Sequence, residues 1–165
     1  MDYGHTVPVQ RFAFVVFFAQ ILYGQSIEIP PATATRGAAQ IFRIAFKARA
    51  DRPIASLQWE IVCPASLQIE VAGVVSGSVA ESAGKTLACA SRKSAPGEKV
   101  LSCVLAGGVK PLPEGTVAIV RFVPAANAPK KVFHIRLEKI VGVSPKLDQV
   151  VIPGTSGEIT VKVEP

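Results

Sequence analysis

Two cysteines flanking a turn constrain the fold of this chain more than any other feature. Residues 86–92 (TLACASR) and 100–106 (VLSCVLA) are short alternating runs, and the segment between them, KSAPGEK, contains a Pro and a Gly. Two such runs around a Pro-Gly turn predict a β-hairpin. Folding the hairpin about Pro96 sets Cys89 opposite Cys103. The sequence therefore predicts two paired strands whose cysteines face each other.

The facing cysteines are placed to form a disulfide. Because side chains alternate along a strand, Cys89 shares a face with Leu87, and Cys103 shares one with Leu105. Directly opposed β-carbons lie ~4.5–5.5 Å apart, close to what a disulfide spans. The alternative is a pair of unlinked buried thiols. Export to an oxidising compartment, which the N-terminal residues predict, favours the bond. The third cysteine, Cys63, then has no obvious partner.

The rest of the chain also has the pattern of short β-strands. Alternating or apolar runs occur at residues 40–49, 56–63, 67–71, 114–122, 132–140 and 157–163, with an edge strand and lead-in at 27–36. The only helical candidate is 78–83, where Ser78 and Glu81 have the spacing of a capping box. Seven to nine strands separated by Gly and Pro turns predict an all-β, antiparallel sandwich.

The first 26 residues have the features of a secretory signal peptide. Arg11 supplies a positive charge, and residues 12–23 form an apolar run of twelve, which is too short to span a bilayer. Small residues precede Ile27, where we expect cleavage. The alternative is a short uncleaved anchor.

One domain, residues 27–165, is expected to follow the signal peptide. With 49% hydrophobic residues the chain can bury one core. We expect it to be secreted, extracellular or on the cell surface, with the periplasm as an option, and to have no membrane span after cleavage. The net charge of +6 is dispersed, and its longest basic runs are pairs, so nucleic acid is not an expected partner.

The residues that carry catalysis are sparse. After cleavage the chain keeps one histidine, His134, at an outward strand position, and no arrangement marks a Ser–His–Asp group. The cysteines and His134 lack zinc-site spacing, and no stretch has the carboxylate spacing of a calcium loop. Residues 83–86 (AGKT) resemble the end of a phosphate-binding loop but run into a strand. We therefore expect no enzyme, no cofactor and no metal.

Several short motifs resemble those of cohesin domains. Residues 111–122 (PLPEGTVAIVRF) resemble the segment that precedes and forms a late cohesin strand, in which a Gly is followed by an alternation ending in Phe. The segment QIFRIAF after Gly37 resembles an early strand of that family, 57–67 (LQWEIVCPASL) resembles a later strand, and 157–161 (GEITV) resembles the closing strand. The likeness covers about residues 32–163.

The chain also departs from the cohesin pattern. Cys63 and Pro64 stand where Tyr-Asp-Pro is usual, and Ala38 stands where an Asp commonly follows the early Gly. The cysteine pair of the hairpin is not a general cohesin feature. These departures concern dockerin recognition more than the fold.

The resemblance implies a fold and a surface. The fold is a jelly-roll β-sandwich of about nine strands. Cohesins bind a dockerin on a partner protein, typically in assemblies that degrade plant polysaccharide, and they are noncatalytic. The sheet that binds in that family would comprise the strands at 56–63, 86–92, 100–106 and 131–138 of this sequence. Its outward residues would be Gln58, Glu60, Ala88, Ala90, Ser102, Val104, His134 and Arg136. A flat face of small and mildly polar groups suits protein docking; the alternative is an ordinary solvated face.

Two other functions remain open from the sequence. The first is a carbohydrate-binding module that contacts a polysaccharide or soluble glycan; it would need exposed aromatic side chains, whereas Trp59 alternates with Leu57 and Ile61 and is expected in the core. The second is a structural subunit of a surface appendage, which would pair through exposed strand edges.

Overall fold

The computed structural model describes residues 24–128 and 132–162. This part of the chain contains eleven strands: β1 (Ser26–Glu28), β2 (Ala32–Thr35), β3 (Gln40–Lys47), β4 (Ser56–Pro64), β5 (Ile69–Ser76), β6 (Thr86–Arg92), β7 (Glu98–Ala106), β8 (Gly115–Phe122), β9 (Val132–Val143), β10 (Gln149–Val151) and β11 (Gly157–Lys162). A 3-10 helix, Ala65–Leu67, and one short helix, α1 (Ser78–Ser82), complete it.

The strands form two sheets, and the predicted jelly-roll β-sandwich is confirmed. One sheet has the order β1-β3-β8-β5. The other has the order β2-β11-β9-β4-β7-β6, with β10 paired to β9. Pairing is antiparallel except between β2 and β11, which run parallel at one edge. The N-terminal segment is split between the sheets, and β10 was not predicted, so the strands outnumber the expected nine.

The core lies between the sheets and contains the large side chains that the alternation pointed inward. Phe42, Phe122 and Trp59 are fully buried, and the rings of Phe42 and Phe122 lie 5.7 Å apart. The prediction that Trp59 belongs to the core is confirmed. Burying such aromatic side chains contributes much of the hydrophobic free energy of a domain this size.

The hairpin has the predicted register. Cys89 pairs with Cys103 across β6 and β7, their Cα atoms are 4.1 Å apart, and the disulfide is formed. Cys63 is the free cysteine and is buried. Its burial raises the pKa of the thiol to about 11, so the reactive thiolate is scarce at neutral pH.

The short helix begins differently from the prediction. The residue that caps α1 is Gly77 and not Ser78, and no side chain forms a capping hydrogen bond. Gly77 packs so closely against Thr116 of β8 that a β-carbon there would collide with the Thr116 backbone. The helix therefore begins where close packing requires glycine, and the predicted capping box does not form.

Most of the predicted signal peptide, residues 1–23, lies outside the described residues. Its last residues, 24–26, are described: the Gln25 side chain donates a hydrogen bond to the Arg52 carbonyl at 2.8 Å, and Ser26 pairs with Lys47. The expected cleavage point before Ile27 therefore falls within β1. Among the described residues, no helix has the length and apolar character needed to cross a membrane.

Candidate docking face

The outward side of β9, β4, β7 and β6 carries all eight residues of the predicted binding face. We call this surface the docking face. Six of the eight are exposed and Ser102 is half-buried, whereas Glu60 is only 3% exposed. The registers of β4 with β7 and of β7 with β6 set these residues in rows across the sheet. The strands therefore bring the predicted residues together on one surface.

One row of the docking face is largely apolar. Ala88, Val104, Gln58 and Val141 are successive cross-strand neighbours, and Val151 of β10 continues the row beside Val141. Val104 is 42% exposed and Val151 is 81% exposed. The prediction missed Val141 because the strand was expected to end at residue 138, and it missed Val151 because β10 has no recognisable pattern in the sequence. We refer to these five residues as the apolar row.

The other end of the docking face is charged. Arg136 donates hydrogen bonds to Glu98 at 3.1 Å and to Glu138 at 2.8 Å. His134 lies 3.5 Å from a carboxylate oxygen of Glu158 on β11. The two acceptors hold the Arg136 guanidinium in one position on the sheet, so this end of the face presents an ordered charge.

Glu60 differs from the other predicted residues because two cations cover it. The Arg92 guanidinium forms an ion pair with one of its oxygens, and the Lys139 ammonium lies 3.0 Å from the other. Burial disfavours the charged form of Glu60, but the hydrogen bonds from Lys139 and Arg92 outweigh it, so the pKa of this carboxyl lies below its usual value. The surface at this position is therefore formed by Arg92 and Lys139 and not by Glu60.

A β-bulge places Lys139 over Glu60. The register of β4 with β9 shifts between Gln58 and Glu60, and Lys139 has a left-handed backbone with φ of 49°. Before the bulge every second residue of β9 is buried, up to Leu137, and the next buried residue is Ile140, three positions further on. This three-residue step between apolar residues is visible in the sequence, and it is the signal by which the bulge could have been predicted.

Substitution of Glu60 by Gln is expected to change how stability depends on pH. Since folding lowers the pKa of Glu60, its ionised form stabilises the fold at neutral pH. That contribution is lost as the pH falls from the ordinary glutamate value of about 4.3 through the lower pKa of the folded state. We expect Glu60→Gln to cost about 1 kcal/mol at pH 7, since the two cations are half-exposed and screened.

Urea unfolding from pH 7 down to pH 3 would measure this effect. The difference between the native protein and Glu60→Gln should shrink as the pH falls. Glu114→Gln is the matched control, because Glu114 is exposed and has no ion pair among the described residues. A Glu60→Gln deficit that stays constant over this pH range would contradict the ion-pair argument.

Comparison with known proteins identifies the class of fold. No protein-family model matches the sequence, and no curated protein matches it. The structure is similar to solved cohesin modules, so the β-sandwich has the cohesin fold. The resemblance to cohesins in the sequence motifs is thereby confirmed at the level of the fold.

Three solved structures show the extent of the similarity. A non-cellulosomal cohesin from the hyperthermophilic archaeon Archaeoglobus fulgidus has a TM-score of 0.66 and 13% identity, over 84% of this chain and 91% of that one. A chain of a type I cohesin–dockerin complex from Clostridium thermocellum has a TM-score of 0.69 and 12% identity, over 84% and 99%. The cohesin module of a Clostridium perfringens family 33 glycoside hydrolase has a TM-score of 0.65 and 14% identity, over 86% and 98%.

Proposed function

We propose that this chain is a noncatalytic docking module that binds a partner protein through the docking face. The observation that carries the proposal is the apolar row lying beside an ordered set of charges on one exposed sheet. The cohesin fold adds support, since a solved structure of similar fold is a complex of a cohesin with a dockerin. A dockerin-like module is thus one form that the partner could take.

The two ends of the docking face have separate roles in this proposal. Contact with Val104 and Val151 removes apolar surface from water and provides affinity. Contact with Arg136, held by Glu98 and Glu138, selects a partner with a complementary charge. Specific protein interfaces usually combine apolar contacts with polar and charged ones.

A protein partner is favoured over a glycan by the positions of the aromatic side chains. Every Trp and Phe among the described residues is buried, including Trp59, so this part of the chain offers no aromatic surface for a sugar to stack on. We also propose that the domain is exported after removal of residues 1–26 and acts outside the cell or at its surface. A role in polysaccharide degradation would come from the partner and not from this chain.

Two substitutions on the docking face are expected to weaken the partner complex at least about tenfold without unfolding the domain. Arg136→Glu reverses a charge that the partner meets. Ser102→Trp adds a bulky side chain to a half-buried position in the middle of the face. The partner would be recovered from the secreted fraction of the source organism with the intact chain as bait, and affinities would be measured by calorimetry.

Arg43→Glu on the opposite sheet is the matched control, and it should leave the affinity for this partner unchanged. If Arg43→Glu weakens the complex while Arg136→Glu and Ser102→Trp do not, docking uses the other sheet and the proposal is wrong. If the chain binds soluble glycans in the same calorimeter and no protein, it is a carbohydrate-binding module instead.

A further inference from the structure

The four-stranded sheet has its own exposed apolar surface, on the opposite side of the sandwich from the docking face. A groove of about 550 Å³ runs between β3, β8 and β5. Its lining includes Ile41, Val75 and Ile119. Ile41 is 47% exposed and Val75 is 51% exposed, although both residues belong to strands and not to loops. We call this surface the β5 groove.

Irregular pairing of β5 opens the groove. Ile69 pairs with Phe122 and Val74 pairs with Val120. Four residues of β5, 70–73, therefore lie opposite a single residue of β8, Arg121. Gly73 passes close to β8: a β-carbon there would lie 3.1 Å from the Arg121 carbonyl oxygen. The extra residues form a bulge at the sheet edge, and such a bulge interrupts the ladder beside it.

The charges beside the groove are positive. Arg43 lies opposite Ile119, and Arg121 lies opposite Ile41, so arginines and aliphatic side chains alternate over the surface. Both arginines are exposed, and neither forms an ion pair within the described part of the chain. The one acidic residue in the lining, Glu70, is already bound to Lys99 at 3.1 Å.

We propose that the β5 groove binds an extended acidic segment of another protein, along one face of which aliphatic side chains alternate with carboxylates. Residues i and i+2 of an extended segment point to the same side, as Ile41 and Arg43 do along β3, so aliphatic and acidic residues that alternate along that side can contact the groove and its arginines together. Arginine suits this role because its fork binds a carboxylate through two hydrogen bonds.

A second copy of this chain does not fit the same surface. Pairing two β5 grooves face to face would bring arginine against arginine, and the chain as a whole carries a net charge of +6. Like charges set against each other across an interface oppose association. The complementary partner is therefore acidic where this surface is basic.

A labelled synthetic peptide of about ten residues, with Val and Glu taking turns at every second position and Ser between them, tests the proposal with the intact chain. Fluorescence anisotropy should show saturable binding. A peptide with Lys in place of Glu should not bind. A third peptide has the same composition with all its Glu residues grouped at one end, and it should bind at least about tenfold more weakly because it cannot place carboxylates and aliphatic groups alternately.

Variants of the chain locate the site. Arg43→Glu and Arg121→Glu should each weaken peptide binding about tenfold or more, and Arg121→Lys should retain part of the affinity. Val75→Asp should also weaken binding, since it removes an apolar contact and repels the peptide. Lys146→Glu makes the same charge change on an exposed turn elsewhere and should have no effect. Circular dichroism would verify that each variant is folded.

Three results would overturn the proposal. The first is equal weakening by Lys146→Glu and Arg121→Glu, which would show attraction to net charge only. The second is equal affinity for the grouped and alternating peptides. The third is binding to phosphatidylserine vesicles that is stronger than binding to the peptide and is lost with Arg43→Glu, which would make the surface a membrane contact. None of these results bears on the partner of the docking face.

Discussion

Replacing both Cys89 and Cys103 by alanine is expected to lower the free energy of unfolding by about 2–5 kcal/mol. The disulfide joins β6 to β7, and among the strands that the structure describes β6 lies at the edge of its sheet, paired with β7 alone. Without the bond, β6 is held by the hydrogen bonds of one ladder and by partly buried side chains. Urea unfolding of the native and double-variant proteins would measure the loss.

The free cysteine provides the control for this experiment. Cys63→Ala removes a buried sulfur but leaves the disulfide intact, so it should cost less than the double substitution. A reductant should destabilise the native protein and Cys63→Ala, and should not affect the double variant. If the double variant is as stable as the native protein, the disulfide does not constrain this fold. Peptide mapping without reduction would show which cysteines are joined.

Replacing Trp59 by alanine is expected to cost about 3–5 kcal/mol. Trp59 is fully buried in the centre of β4, and its removal leaves a cavity that strands on both sides prevent from closing. Its indole nitrogen has no hydrogen-bond partner, so the loss comes from packing and not from a broken hydrogen bond. Trp59 fluorescence and urea unfolding of the native protein provide the reference.

The neighbouring residue Gln58 is the matched control for Trp59. It lies on the same strand but faces outward and is exposed, so Gln58→Ala should change stability by less than about 0.5 kcal/mol. Equal and small effects of the two substitutions would contradict the position of Trp59 in the core. Such a result would restore the possibility of a surface aromatic for sugar binding.

Local patterns were enough to predict much of this fold. The β6–β7 hairpin follows from a short turn between two alternating runs, and its register follows from that turn, so the cysteine pairing could be predicted. By contrast, β10 is three residues long and exists because β9 extends far enough to pair with it. The start of α1 depends on Gly77 packing against Thr116, which is a contact between distant parts of the chain.

The docking face was predictable in outline for the same reason. Alternation together with the resemblance to cohesins indicates which side chains of β4, β7 and β6 point outward, and all the predicted residues lie on the outward side. The burial of Glu60 could not be predicted, because it depends on Arg92 and Lys139 reaching across from neighbouring strands. The β5 groove was missed because it arises from the loose register of β5 on β8.

The parallel pairing of β2 with β11 has a consequence for the time course of folding. A second contact of similar range involves β1, where the Thr155 amide donates a hydrogen bond to the Ile27 carbonyl, between residues 128 positions apart. During synthesis β2 leaves the ribosome long before β11, so the parallel pair cannot form until β11 is free. Contacts so distant in sequence slow folding, and until β11 pairs with it, β2 has an unpaired edge that can pair with the wrong strand.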